Sequence, residues 1–162
     1  MQSDLDGASL VGAWLDGADL RKCRLTGARL DGAALARANL SWADLDGASL
    51  GGAALAAADL TEASLAGARL DGIDGERALF DRADLTRASL AGARLVDAAF
   101  DGCNLRGCDL RGAHCAGASF DGAALDGALL DGALLDATTL DGAQLGAAQW
   151  SSIVVAGVVK TR

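Results

Sequence analysis

The sequence predicts an all-β fold built as a four-sided solenoid, and three observations predict it. First, Leu occupies 24 of the 30 positions numbered in multiples of five; the exceptions are Gly75, Phe80, Phe100, Cys115, Phe120 and Trp150. Second, Ala stands two residues before these centres in 24 of 30 repeats, and Gly two residues after them in 18 of 30. Third, the Phe centres, Phe80, Phe100 and Phe120, fall at every fourth repeat.

Each feature constrains the chain. A step of five residues turns about 140° around an α-helix, which would smear the Leu series over the whole cylinder. Strand side chains alternate with a period of two, so an odd spacing would send successive Leu residues to opposite faces. A short extended piece followed by a bend keeps every Leu on one side. A turn that starts at the centre places Gly third, where a type II turn needs positive φ. Repeats with Arg37, Trp42, Glu62, Arg77, Arg82 or Arg87 in that place are expected to use a type I turn instead. The Phe spacing equals four repeats, so four repeats make one coil and the rings stack on one side. Thirty repeats give about seven and a half coils, roughly 36 Å long at the ~4.8 Å strand spacing. Phe80 follows Gly75 and Phe120 follows Cys115, trades in volume that a close-packed core requires. The one disturbance is Asp71-Gly72-Ile73-Asp74-Gly75-Glu76-Arg77, expected as a distorted side or a small protruding loop.

The motif Ala-Asp/Asn-Leu-x-x, as in Ala18-Asp19-Leu20-Arg21-Lys22, Ala38-Asn39-Leu40 and Ala58-Asp59-Leu60, resembles the pentapeptide-repeat family over about residues 3–150. The resemblance implies a right-handed quadrilateral parallel β-helix, here of about 7–8 coils of four repeats each. The chain divides into a repeat domain, 1–150, and a C-terminal tail, 151–162.

Composition narrows the function. The 162 residues are 51% hydrophobic, but no stretch approaches the ~20 apolar residues of a membrane helix. No basic region precedes an apolar run at the N-terminus, so a cytoplasmic protein is expected. A net charge of -8 and a pI near 4.4 disfavour direct nucleic-acid binding, which runs on Lys and Arg, and suit a basic partner. Cys23, Cys103 and Cys108 stand at the Ala position and Cys115 at a centre, so they read as reduced, buried apolar residues. Their spacing does not resemble a zinc motif, and His114 should point away from Cys115. No nucleophile–base pair and no phosphate loop is visible. The reading is a non-enzymatic protein with no metal and no cofactor.

The exterior carries the candidate sites. Grouping repeats by side, the side of centres 20, 40, 60 and onward is the most acidic, at -4. There Asp81, Asp101, Asp121 and Asp141 each follow a centre, one per coil, and should form a carboxylate column. This column is either turn chemistry or a partner-binding stripe that imitates a nucleic-acid backbone. Arg77, Arg82 and Arg87 form a basic band that a full mimic would lack. Trp14, Trp42, Leu129 and Leu134 are apolar at outward positions. The β-branched tail is expected to cover the open end through Trp150, Ile153, Val154 and Val155 against Leu129 and Leu134, or to pair with a second chain. The N-terminal coil shows no obvious cap. Monomer and C-terminal homodimer both remain open.

Three functions follow. The first is a rigid acidic protein–protein interaction module. The second is implied by the resemblance: some pentapeptide-repeat proteins bind DNA gyrase or topoisomerase IV as DNA mimics and protect them from quinolones, a form of antibiotic resistance. This chain is more regular and poorer in Phe centres than those protectors. The third, which the regularity motivates, is an idealised scaffold without a native partner.

Overall fold

The computed structural model describes residues 3–146 and Gln149. It is a right-handed quadrilateral parallel β-helix. Coil 1 spans residues 3–22, and successive coils of four repeats lead to coil 7, 123–142. Side 1 contains centres 5, 25 and onward, side 2 those from 10, side 3 those from 15 and side 4 those from 20.

Each rung is a single parallel bridge between the residue before a centre and its equivalent one coil on, from Asp4–Arg24 to Ala124–Gln144. One repeat shows the hydrogen-bond pattern. Leu25 and Gly27 donate their N–H groups to Asp44 O and Asp46 O, at 2.7 and 2.9 Å. Ala28 closes the turn onto Leu25 O at 2.9 Å, and Arg29 reaches back to Ala8 O at 2.9 Å. Only the N–H after the centre lacks a backbone partner.

The interior holds the Leu and Ala rows, and every centre from Leu25 to Leu110 that bears a side chain is fully buried. Phe80, Phe100 and Phe120 stack as their spacing predicts, with ring centroids 4.8 and 4.9 Å apart and planes within 3° of parallel. At the C-terminal end Phe120, Leu125, Leu130, Leu135 and Leu140 line a small apolar recess.

Two expectations are corrected. Arg37, Trp42, Glu62, Arg77, Arg82 and Arg87 do not switch to type I turns: their φ values are 56–59°, in the left-handed region that Gly takes elsewhere. The rungs impose this. Arg77 N–H donates to Val96 O at 2.9 Å, and Ala78 N–H to Gly75 O at 3.0 Å, so the backbone path is fixed whatever the side chain. Each such residue costs about 1–2 kcal/mol against glycine. Residues 71–77 are neither distorted nor looped. Asp74 bridges both Ala54 and Arg94, and Gly75 N–H donates to Arg94 O at 2.8 Å. The missing centre side chain is replaced by neighbours: a Cβ on Gly75 would lie 3.0 Å from Leu95 Cδ2 and 3.5 Å from Ile73 Cδ1. Ile73 at the Ala position therefore fills the space that Gly75 vacates.

Among the described residues no helix is long and apolar enough to cross a membrane. Trp150, Ile153, Val154 and Val155, with the proposed tail contacts, lie outside the described residues.

Candidate interaction face

The N–H after each centre is the group the backbone leaves over, and in many repeats an Asp or Asn side chain supplies its acceptor, in two ways. Where Asp or Asn precedes the centre, it caps its own repeat: Asp59 Oδ1 accepts from Thr61 N–H at 2.9 Å, and Asp84 Oδ1 from Thr86 N–H at 2.9 Å. Where Asp follows the centre, it caps the next coil, as Asp16 does for Ala36 N–H at 2.9 Å and Asp46 for Ala66 N–H at 3.0 Å.

The column predicted on side 4 is built from this second contact. Asp101 N–H donates to Asp81 Oδ1 at 3.0 Å, Asp121 N–H to Asp101 Oδ1 at 3.3 Å, and Asp141 N–H to Asp121 Oδ1 at 2.8 Å. Ser119 Oγ also donates to Asp101. The carboxylates stack one per coil on the surface, and each row is held by the N–H of the next. The sequence reading placed the column but missed its role in the ladder; the signal was the once-per-coil spacing itself. Asp101→Ala should cost about 1–2 kcal/mol, since it strips an acceptor from Asp121 N–H and Ser119 Oγ. Asp101→Asn keeps an acceptor and should cost less than half as much. Urea denaturation of the two variants checks the order.

Hydrogen bonding also sets the ionisation of neighbouring groups. Ser49 Oγ and the Gly51 N–H hold the Asp31 carboxyl below the usual carboxylate range. The Arg21 guanidinium lowers Asp19 to about 2, and Arg111 lowers Asp109.

The basic band wraps three successive corners. Arg82 Nη1 lies 3.7 Å from Glu62 Oε1 and Arg77 Nε 3.9 Å from Asp97 Oδ2, while Arg87 has no ion pair among the described residues. Trp14 is 93% exposed and Trp42 51%; Leu129 and Leu134 are exposed on the last coils, as the sequence predicts. Leu79 and Val11 are exposed too, and were not singled out from sequence. On the corner after side 4, Lys22 Nζ sits 5.5 Å from the Trp42 ring, and Trp42 Nε1 donates to Glu62 Oε2 at 3.0 Å.

His114 is exposed and Cys115 buried, on opposite sides of the wall. All four cysteines are free, and no group of side chains among the described residues could hold a metal ion. Burial pushes the Cys108 and Cys115 thiols up to about 12, and Cys103 higher still. These thiols are expected to resist an aromatic disulfide reagent at pH 8 and to react only as the chain unfolds in denaturant. Stoichiometric labelling of the folded protein at all four would refute the buried assignment.

Family models for pentapeptide repeats match residues 3–41, 38–74, 78–114 and 100–144. No curated protein matches the chain significantly. Among solved structures, a trypsin-treated form of QnrB1, a plasmid-mediated fluoroquinolone resistance protein, superposes with TM-score 0.70 at 19% identity, covering 99% of this chain and 86% of that one. A second trypsin-treated QnrB1 gives TM-score 0.52 at 18% identity, covering 99% and 90%. HetL from the cyanobacterium Nostoc sp. strain PCC 7120, involved in heterocyst differentiation regulation, gives 0.48 at 28% identity, covering 89% and 83%.

Proposed function

We propose, from the premise that this chain belongs to the pentapeptide-repeat family, that it is a rigid, non-enzymatic acidic rod that binds a protein partner through side 4. One observation carries the reading. Asp81, Asp101, Asp121 and Asp141 stack in a continuous surface column, and the carboxylates of Asp81, Asp101 and Asp121 are each fixed by the backbone N–H of the row that follows. Fixed like charges held by the backbone present a potential that needs no ordering on binding, which suits steering a basic partner.

The same column supports a second reading, a nucleic-acid mimic directed at DNA gyrase or topoisomerase IV. The regular carboxylate spacing and the rod shape favour it, and the fold likeness to QnrB1 is compatible with it. A supercoiling assay with DNA gyrase, with and without a quinolone, separates the two. Inhibition or drug protection that weakens when Asp81, Asp101, Asp121 and Asp141 are all changed to Asn would support the mimic. No effect at concentrations well above the enzyme leaves the binding rod. A C-terminal homodimer through the tail belongs to the same proposal and is tested by sedimentation over a concentration series.

A further inference from the structure

The N-terminal face of coil 1 is an unfinished rung. In coil 2 the residues before the centres, Arg24, Arg29, Ala34 and Asn39, turn both backbone groups toward coil 1. Their N–H groups donate to Ser3, Ala8, Ala13 and Ala18 O at 2.9–3.0 Å, and their carbonyls accept from Leu5, Leu10, Leu15 and Leu20 N–H at 2.7 Å. Asp4, Ser9, Trp14 and Asp19 occupy the same places in coil 1, and their N–H and C=O groups have no backbone partner among the described residues. Inside, Leu5, Leu10 and Leu15 are only partly buried, whereas Leu25, Leu30 and Leu35 are fully so. Outside, Val11 is 49% and Trp14 93% exposed, the most of any large apolar side chain among the described residues.

We infer that this face binds a second copy of the chain, head to head, about a two-fold axis across the rod. A hydrogen-bonded antiparallel pair exchanges two bonds between facing residues, and a residue whose N–H and C=O both point off the edge can form one with its equal. The face is a ramp that climbs about 1.2 Å per side, a quarter of the ~4.8 Å strand spacing. Two such ramps meet evenly only when the axis passes through the corner where the ramp starts, between sides 4 and 1. It then passes through the opposite corner, between sides 2 and 3. Ser9 of each copy faces Trp14 of the other, and Asp4 faces Asp19. Val11 stands on the corner between sides 2 and 3, so the two Val11 side chains meet near the axis with a Trp14 on either side. The patch is self-complementary, as an isologous interface requires. The facing carboxylates each bring a cation: Arg24 lies 3.2 Å from Asp4, and Arg21 2.6 Å from Asp19.

Charge favours this end. Residues 1–42 hold five acidic and five basic side chains, so coils 1 and 2 are neutral. Coils 6 and 7, residues 103–142, hold six acidic and two basic, a net of -4. Two copies of a chain of net charge -8 therefore meet with least repulsion at the N-terminal face. Head-to-tail stacking meets an edge already taken on side 1 of coil 7. There Leu125 N–H donates to Gln144 O, and Ala128 O accepts from Gln149 Nε2, both at 2.8 Å. This pairing stands apart from partner binding on side 4, and it leaves the Asp81–Asp141 column of each copy away from the join.

Sedimentation velocity of the full chain over a concentration series is expected to show monomer passing to dimer and stopping there. Amide exchange at Ser9 and Trp14 should slow as the dimer fills. The variant Val11→Ser, Trp14→Ser alters two exposed side chains, so dilute protein should melt as before. Its dimerisation midpoint should rise about 10-fold or more, since a central Trp carries much of such an interface. Leu129→Ser, Leu134→Ser, near the other end, should leave the midpoint where it is. A monomer at every concentration overturns the inference, as does growth beyond the dimer. So does a midpoint that moves with the Leu129–Leu134 variant and not with the Val11–Trp14 variant. None of these outcomes bears on side 4, which the variant with its Asp column neutralised tests separately.

Discussion

Leu105→Asp is expected to abolish cooperative folding at pH 7. Leu105 is fully buried in coil 6, its N–H donates to Ala124 O at 2.8 Å, and its side chain stands in the column of Leu85 and Leu125. Nothing in that column can pair with a carboxylate. The described core is Leu, Ala, Phe, Ile and Cys, and no buried side-chain nitrogen or oxygen among the described residues lacks a partner. The substitution removes about 2–3 kcal/mol of apolar burial and adds several more for an unpaired polar group, against a total stability of about 5–15 kcal/mol. Backbone relaxation offers little escape, because the rungs on either side fix the position of the centre. The sign of the pH effect follows. Burial raises the folded-state pKa of the new carboxyl, so the penalty is largest when it is ionised and shrinks as pH falls toward that raised value. Circular dichroism and urea titration should show an unfolded or broken rod at pH 7 and partial recovery near pH 5. Leu105→Met should remain folded throughout. A folded Leu105→Asp protein at pH 7 would overturn the assignment of the Leu row to the interior.

Much of this architecture was legible because one residue type does one job. A period of five that is neither helical nor a strand forces a bend per repeat, and the Phe80–Phe100–Phe120 spacing sets four bends per coil. The stacked rings and the single bridges between equivalent repeats of adjacent coils follow directly. The corner conformation was less legible. Reading Arg77 or Trp42 by its own turn preference gave a type I turn, because local propensity speaks before tertiary hydrogen bonds do. In a solenoid each coil copies the next through its rungs, so the majority Gly geometry overrides the minority residue. Gly75 misled for a related reason. The sequence shows a missing side chain but not that Ile73 and Leu95 converge on the gap. The outward column was found at Asp81, Asp101, Asp121 and Asp141 by counting alone. Its contact with the following N–H was hidden, since that depends on which backbone group the rung leaves unpaired.

Phe100→Ala should cost about 4–5 kcal/mol, more than Phe120→Ala. Phe100 is the middle ring, fully buried, with a ring on each side at 4.8 and 4.9 Å. Removing it deletes both stacking contacts, and its volume cannot be recovered by collapse. Phe100 N–H donates to Ser119 O at 2.8 Å and Phe80 N–H to Ala99 O at 2.7 Å, so coils 4 to 6 are held at fixed pitch around the void. Cavities that cannot close lie at the upper end of the observed range for large-to-small core substitutions. Phe120 differs in two respects. It has one ring neighbour, and it borders the apolar recess formed with Leu125, Leu130, Leu135 and Leu140. Its loss enlarges an existing recess whose Leu lining can move inward, so the local structure can relax. Urea denaturation of both single variants, with hydrogen exchange to assign which coils open, gives the comparison. A smaller loss for Phe100→Ala than for Phe120→Ala would mean that the coil pitch adjusts around a missing ring. The fixed spacing on which the exterior columns depend would then be a property of the side chains inside and not of the backbone rungs.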